Sequence, residues 1–379
     1  YLIGAGPGDP ELISVRAMRA LREADCVIYD FLANPALLRD LTCEKIYVGK
    51  QGSDHTLPQG GINELIIDMA RRGKTVARLK GGDPFIFGRG GEEAEELAAA
   101  GIPFRVIPGI SSFYSAPAYA GIPVSHRDHA DSFLVITGHR REDAPGGLDV
   151  TLPDYHANRT YVFLMGMKNL SAITRGMIGE KGFPPGTPAA AVSWGTTPRQ
   201  KTACGTLDTI AAEAEKTGVS APAIVIIGGV VELRERIRWF DTLPLFGKTI
   251  VVTRTREQAS ALTGRLADLG ASVIEFPTIR IRPRDNAEID AAVREAGSYD
   301  WIIFTSQNAV SIFFARMRAA GLDARALASS KIGAIGPATA RELEKHFITA
   351  DLVPEQYVAE GVLDAMKGVD LKGKRVLLP

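Results

Sequence analysis

Alternating strand and helix signals predict an α/β chain built in two successive parts. Three observations carry this: short apolar runs recur along all 379 residues with helix-like stretches between them, glycine-rich loops follow directly on several of those runs, and the alternation restarts after a Pro/Gly connector. In the first part the strand-like runs are Tyr1 to Ile3, Cys26 to Tyr29, Thr75 to Leu79, Phe104 to Ile107, Phe133 to Thr137 and Tyr161 to Met165. Ala223 to Gly229 reads as one more buried strand, and Glu232 to Trp239 as a charged closing helix. The connector occupies 242–248. Beyond it come a strand at Thr249 to Thr253, a helix over Arg256 to Leu269, strands at Val273 to Phe276, Trp301 to Thr305 and Lys331 to Ile335, a helix from near Pro337, and a last buried strand at Arg375 to Leu378. A buried parallel strand wants a crossover and a neighbour, so the second part is expected to be cut short.

The 44 basic and 44 acidic side chains cancel, so no whole-protein field draws in nucleic acid or an anionic membrane, and neither is an expected partner. An anionic ligand has to be met by local basic groups. Cys26, Cys43 and Cys204 are scattered and odd in number, which fits a reducing, cytoplasmic compartment better than a disulfide framework. No apolar run approaches the roughly 18 residues of a membrane span. The chain opens at Tyr1, inside a strand-like run and without an initiator Met, so short terminal pieces are expected to be missing.

Directly after the first strand stands Gly4-Ala-Gly-Pro-Gly-Asp-Pro10, where the chain turns sharply and backbone lies bare. Alone it is ambiguous between a Gly-Pro turn and a ligand loop. The dinucleotide fingerprint G-x-G-x-x-G fails because Asp9 occupies its third glycine position. Lys80-Gly-Gly-Asp-Pro-Phe-Ile-Phe-Gly-Arg-Gly-Gly91 supplies a second such loop ahead of an acidic helix near Glu92, and Pro108-Gly-Ile-Ser-Ser112 a third. Loops of this kind suit a cofactor with hydroxyls, polar edges and a positive centre. Asp30 follows a strand immediately, the place from which catalytic groups of open α/β sheets project. His126-Arg-Asp128 lacks the Asn of a kinase catalytic loop, and the six histidines show no ligand spacing, so no metal is expected.

These loops, with Tyr29-Asp30, Val48-Gly-Lys50 and Ala120-Gly-Ile-Pro-Val-Ser-His-Arg-Asp128, resemble the tetrapyrrole methyltransferase family over Tyr1 to about Trp239, most of all its uroporphyrinogen-III C-methylating branch. The resemblance implies a two-lobed α/β fold over 1–241, with lobes of about 1–115 and 116–241, S-adenosylmethionine in the cleft, and a homodimer. It implies C-methylation of uroporphyrinogen III at two ring carbons, giving precorrin-2 for sirohaem or cobalamin. Cofactor contacts carried onto matching positions are Pro7, Gly81, Gly82, Asp83, Ile86, Ser111, Ser112, Met165 and Gly195. Asp30 matches the family's proton acceptor and Lys50 its proposed donor, and a carboxylate near a cationic pyrrole adduct both stabilises it and takes its proton. The carboxylate-rich substrate calls for basic groups at the cleft mouth, with Arg89, His126 and Arg127 as candidates.

Lys248-Thr-Ile-Val-Val-Thr-Arg-Thr-Arg256, Tyr299-Asp-Trp-Ile-Ile-Phe-Thr-Ser-Gln-Asn-Ala-Val310 and Ile332-Gly-Ala-Ile-Gly-Pro-Ala-Thr-Ala340 resemble uroporphyrinogen-III synthase, so 249–379 is expected to be a flavodoxin-like, C-terminally incomplete α/β synthase region. Such an enzyme cyclises hydroxymethylbilane without a cofactor. Thr305, Ser306, Asn308 and Thr339, at strand ends and helix starts, are candidates to hold its carboxylates, with helix N-capping as the alternative. The rival reading of the whole chain is another enzyme of the same fold with a non-catalytic tetrapyrrole-binding module behind it.

Overall fold

The computed structural model describes residues 1–49, 57–138, 150–254, 256–279, 281–283 and 286–379, with the side chains of 256–260 left aside. Lys50 therefore lies outside the described residues. The chain divides into two compact units, Tyr1–Ile279 and Arg280–Pro379. The division falls later than the 242–248 connector.

The first unit opens with a parallel sheet of β1 (Leu2–Gly4), β2 (Cys26–Tyr29), β3 (Glu44–Tyr47), β4 (Val76–Lys80) and β5 (Val106–Ile107), in the order β3-β2-β4-β1-β5. Helices α1 (Val15–Glu23), α2 (Gln59–Arg71), α3 (Gly90–Ala99) and α4 (Ser112–Tyr119) accompany it. Side chains alternate across a strand, and the core follows that rule. Ile3, Val27, Ala77 and Leu79 pack with Ala17, Leu21 and Leu37 on one face, whereas Leu2, Ile28 and Val76 pack with Ile62, Ile66 and Leu97 on the other. Helix α1 starts where the Ser14 hydroxyl accepts from the Ala17 amide at 3.1 Å, and its buried Ala17, Ala20 and Leu21 share one stripe at helical spacing.

The second sheet contains β6 (Ser132–Thr137), β7 (Arg159–Leu164), β8 (Pro188–Ser193), β9 (Lys201–Thr206) and β10 (Ala223–Ile227), in the order β6-β7-β10-β8-β9. Only the β6–β7 pair is parallel. Its helices are α5 (Leu170–Gly179), α6 (Ile210–Thr217) and α7 (Arg234–Ile237). Ala116, Ala120 and Ile122, in and just after α4, pack against Val162, Ile224 and Ile226 of this sheet, so α4 joins the two lobes. The expected closing helix is broken, with a 3-10 turn at Gly229–Leu233 before the short α7. A parallel pair, β11 (Thr249–Val252) and β12 (Ser272–Glu275), follows with α8 (Arg256–Asp268) between them.

In the second unit β13 (Trp301–Phe304), β14 (Lys331–Ala334) and β15 (Val376–Leu377) form a parallel sheet in the order β14-β13-β15, with α9 (Ala287–Arg294), α10 (Gln307–Ala319), α11 (Pro337–Glu344) and α12 (Ala359–Ala365). Its core is Ile302, Phe304, Phe313, Met317, Ile332 and Leu343. The last strand, expected to be buried, is half exposed and, among the described residues, pairs with β13 alone. No described helix is long and apolar enough to cross a membrane.

Candidate active site

Because β4, β1 and β5 are neighbours, the loops that leave their C-terminal ends emerge side by side. Ligands of open α/β sheets bind at that edge. Gly6 and Gly82 exchange both backbone hydrogen bonds, at 3.2 and 2.7 Å. The third loop closes on them so tightly that a Cβ on Gly4 would lie 2.4 Å from the Gly109 Cα and 2.6 Å from the Gly82 carbonyl oxygen. No side chain fits at Gly4 or Gly109, and Gly82 holds φ 66°, which accounts for glycine at the three positions.

The Asp83 carboxylate fastens this arrangement: Oδ2 accepts from the Gly109 amide at 2.9 Å and Oδ1 from the Phe85 amide at 2.8 Å. Asp83 thus organises the cradle from within, with both oxygens engaged by the loops. Beside it Phe85, Ile86 and Phe87 are exposed in succession, a contiguous apolar surface at the rim of the loops. Ser111 is buried at the N-cap of α4 and Ser112 begins that helix. Pro7, half-buried, stands in the first loop next to Gly8, whose carbonyl accepts from the Asn34 side chain at 2.6 Å.

The second lobe meets the first loop here. The Asp9 amide donates to the Thr196 hydroxyl at 3.1 Å, and a Cβ on Gly195 would fall 2.2 Å from that of Ala116 in α4. Met165, after β7, is half exposed. Phe87, Arg89, Met165, Trp194 and Thr196 all hold φ between 48° and 67°, a conformation costing a non-glycine residue about 1–3 kcal/mol. Among the described residues one further non-glycine position shares it, Phe347 in the second unit. Backbone strain therefore collects around the cleft. Tyr119 donates its hydroxyl to Asp9 at 3.3 Å, and burial followed by that carboxylate pushes the phenol up to about 12.

Asp30 sits immediately beyond β2, about a quarter exposed. Its Oδ1 accepts from the Leu32 amide at 3.2 Å and its Oδ2 from Arg78 Nη2 at 3.3 Å. Arg89 is held by Glu92, with Nε 3.0 Å from both carboxylate oxygens, and this pairing raises its pKa. His126 closes a turn by donating its amide to the Ala130 carbonyl at 3.0 Å, with Arg127 exposed at the tip. Among the described residues no cluster of metal-ligating side chains occurs.

Sequence reasoning missed two features. Trp194 carries the Arg199 guanidinium 3.8 Å above its ring and faces Phe31 at 5.8 Å, so an aromatic wall stands beside Asp30. Arg78 and Lys80 are buried cations within the sheet, and Glu93 of α3 joins them. The signal was two cations at alternate positions of an otherwise apolar strand.

Residues 1–211 match the family model of tetrapyrrole (corrin/porphyrin) methylases. The chain belongs to that family. Behind this methylase region, residues 260–379 match uroporphyrinogen-III synthase HemD. A porphyrin biosynthesis protein HemD of Ruminiclostridium josui is 42% identical over 93% of this chain and 70% of its own length. A uroporphyrinogen-III C-methyltransferase of Bacillus subtilis (strain 168) is 39% identical over 94% of this chain and 73% of its own. Among solved structures, the Thermus thermophilus uroporphyrin-III C-methyltransferase complexed with S-adenosyl homocysteine superposes with a TM-score of 0.52 at 37% identity, covering 62% of this methylase chain and 98% of that one.

In the second unit the starts of α10 and α11 are brought together, since Gln307 Nε2 donates to the Ala338 carbonyl at 3.2 Å. Ser306 is the N-cap of α10, accepting from the Ala309 amide at 3.1 Å, and Thr339 is buried in α11. Thr305 is exposed and Asn308 half-buried nearby.

Proposed function

We propose that the first unit C-methylates uroporphyrinogen III at two ring carbons, giving precorrin-2, with S-adenosylmethionine as cofactor. The observation that carries this reading is the three-loop cradle, in which Gly4, Gly82 and Gly109 touch backbone to backbone beneath exposed Phe85, Ile86 and Phe87. Bare amides and an apolar rim fit a nucleoside-bearing ligand. When bound, S-adenosylmethionine supplies an electrophilic methyl group on a sulfonium centre. Pro7, Gly81, Gly82, Ile86, Ser111, Ser112, Met165 and Gly195 hold it, and Asp83 shapes the loops that do so.

Attack by an electron-rich pyrrole carbon leaves positive charge and a proton on the substrate. Asp30, fixed by Arg78 and the Leu32 amide, stabilises the charge and takes the proton. Lys50 is assigned as donor from the family pattern alone. Arg89, His126 and Arg127 meet the substrate's carboxylates. In the second part, Thr305, Ser306, Asn308 and Thr339, at helix starts that converge through Gln307, receive the carboxylates of hydroxymethylbilane in a synthase that makes uroporphyrinogen III, the tetrapyrrole to be methylated.

Homodimerisation through the methylase region fits the exposed Phe133 and Leu134 on β6, an edge strand among the described residues. Three free cysteines suit a cytoplasmic setting. Incubation with uroporphyrinogen III and S-adenosylmethionine, followed by mass analysis, is expected to give a product heavier by two methyl groups. A tetrapyrrole of unchanged mass overturns the assignment.

A further inference from the structure

Arg78 and Lys80 lie two residues apart on β4, on the face that also carries Val76, and they are only 3% and 5% exposed. Glu93 reaches them from α3. Its Oε1 accepts from Arg78 Nε at 3.2 Å, Lys80 Nζ at 2.7 Å and Gln59 Nε2 at 3.1 Å, while its Oε2 is buried with no hydrogen-bond partner. Burial and the neighbouring Arg78 charge hold the Lys80 pKa below its ordinary value. An apolar cluster of similar volume would serve stability at least as well as such a network. The cost is therefore to be explained by what the network holds.

What it holds is the guanidinium. Arg78 Nε is fixed by Glu93, and Nη1 donates to the Leu79 carbonyl at 3.1 Å and the Ile28 carbonyl at 3.4 Å. Nη2 is left to meet Asp30 Oδ2 at 3.3 Å. A planar fork tied at its other positions presents its last donor in one direction. The Asp30 orientation is then set from inside the sheet, by a carboxylate that never reaches the cleft.

We propose that Glu93 is a positioning residue for methyl transfer, acting through Arg78 to fix the Asp30 carboxylate at the end of β2. This rests on Asp30 as the proton acceptor. Misplacing a reacting group by about 1 Å can cost on the order of 100-fold, so Glu93→Gln is expected to lower kcat by about 10- to 100-fold. The KM for uroporphyrinogen III and the affinity for S-adenosylhomocysteine should stay within about threefold of the parent, because the cofactor loops are held by Asp83 and by the Gly6–Gly82 backbone pair and not by this network.

A double-mutant cycle makes the test specific. On an Asp30→Asn background Glu93→Gln should cost little more. Equal fold losses on both backgrounds, or a parental kcat for Glu93→Gln, overturn the inference alone. Full turnover by Asp30→Asn removes Asp30 from the chemistry and the inference with it. If Glu93→Gln loses S-adenosylhomocysteine binding, Glu93→Asp replaces it, since it keeps the buried charge but withdraws the carboxylate. The same two criteria then apply: kcat lowered on the parent background and not further on Asp30→Asn.

Discussion

The chain gathers polar groups at strand ends in two places, and they differ in what those groups are already doing. In the first unit the backbones of three loops touch at Gly4, Gly82 and Gly109, Asp83 ties two of them together, and strained residues surround the cleft. In the second unit Ser306 is occupied as a helix cap and Thr339 is buried. The first arrangement is costly and fits a ligand, whereas capped helix starts occur in most α/β folds. Strain and crowding at a strand end therefore mark a binding site more sharply than polar residues do.

The largest expected effect lies at the crowded point. Gly4→Ala places a methyl 2.4 Å from the Gly109 Cα, which forces the loops apart, so calorimetry should show no measurable S-adenosylhomocysteine binding. Parental affinity would mean that loop contact is incidental and would break the comparison. Asp83→Ala removes two hydrogen bonds to a charged acceptor, each worth about 1.5–3 kcal/mol. Cofactor affinity should fall by roughly tenfold or more. An unchanged value would show that the glycine contacts hold the cradle unaided. In the second unit, Ser306→Ala should cost about 1 kcal/mol in chemical denaturation of that unit, typical of a lost N-cap, with methyl transfer unaltered. A neutral stability effect would instead leave the Ser306 hydroxyl available for a ligand and bring the two regions closer in kind.

The cradle was legible because its demands are local: a Gly-Gly-Asp-Pro run after a strand needs no distant partner to be recognised. The buried charge network was not, since Arg78 and Lys80 find Glu93 only when α3 folds back onto β4. The sequence makes Asp83 a candidate cofactor contact, whereas the amides its carboxylate satisfies, Phe85 and Gly109, lie on two separate segments that no single run discloses. In the first lobe β3, and in the second β8 and β9, escaped notice. β8 is built from Pro188-Ala-Ala-Ala-Val-Ser193, with one β-branched residue, and becomes a strand through pairing with β10 and β9. Its antiparallel neighbour β9 likewise follows from pairing that no single run discloses.

On the proposed function, cofactor holding and proton chemistry are separate tasks, the first done by the glycine cradle and the second by Asp30. Asp30→Asn keeps the size of the side chain and removes its basicity. Measured side by side, S-adenosylhomocysteine affinity should remain within a few fold of the parent, while turnover of uroporphyrinogen III falls by about 100-fold or more. Full turnover, or loss of cofactor binding in step with activity, would contradict that division of labour.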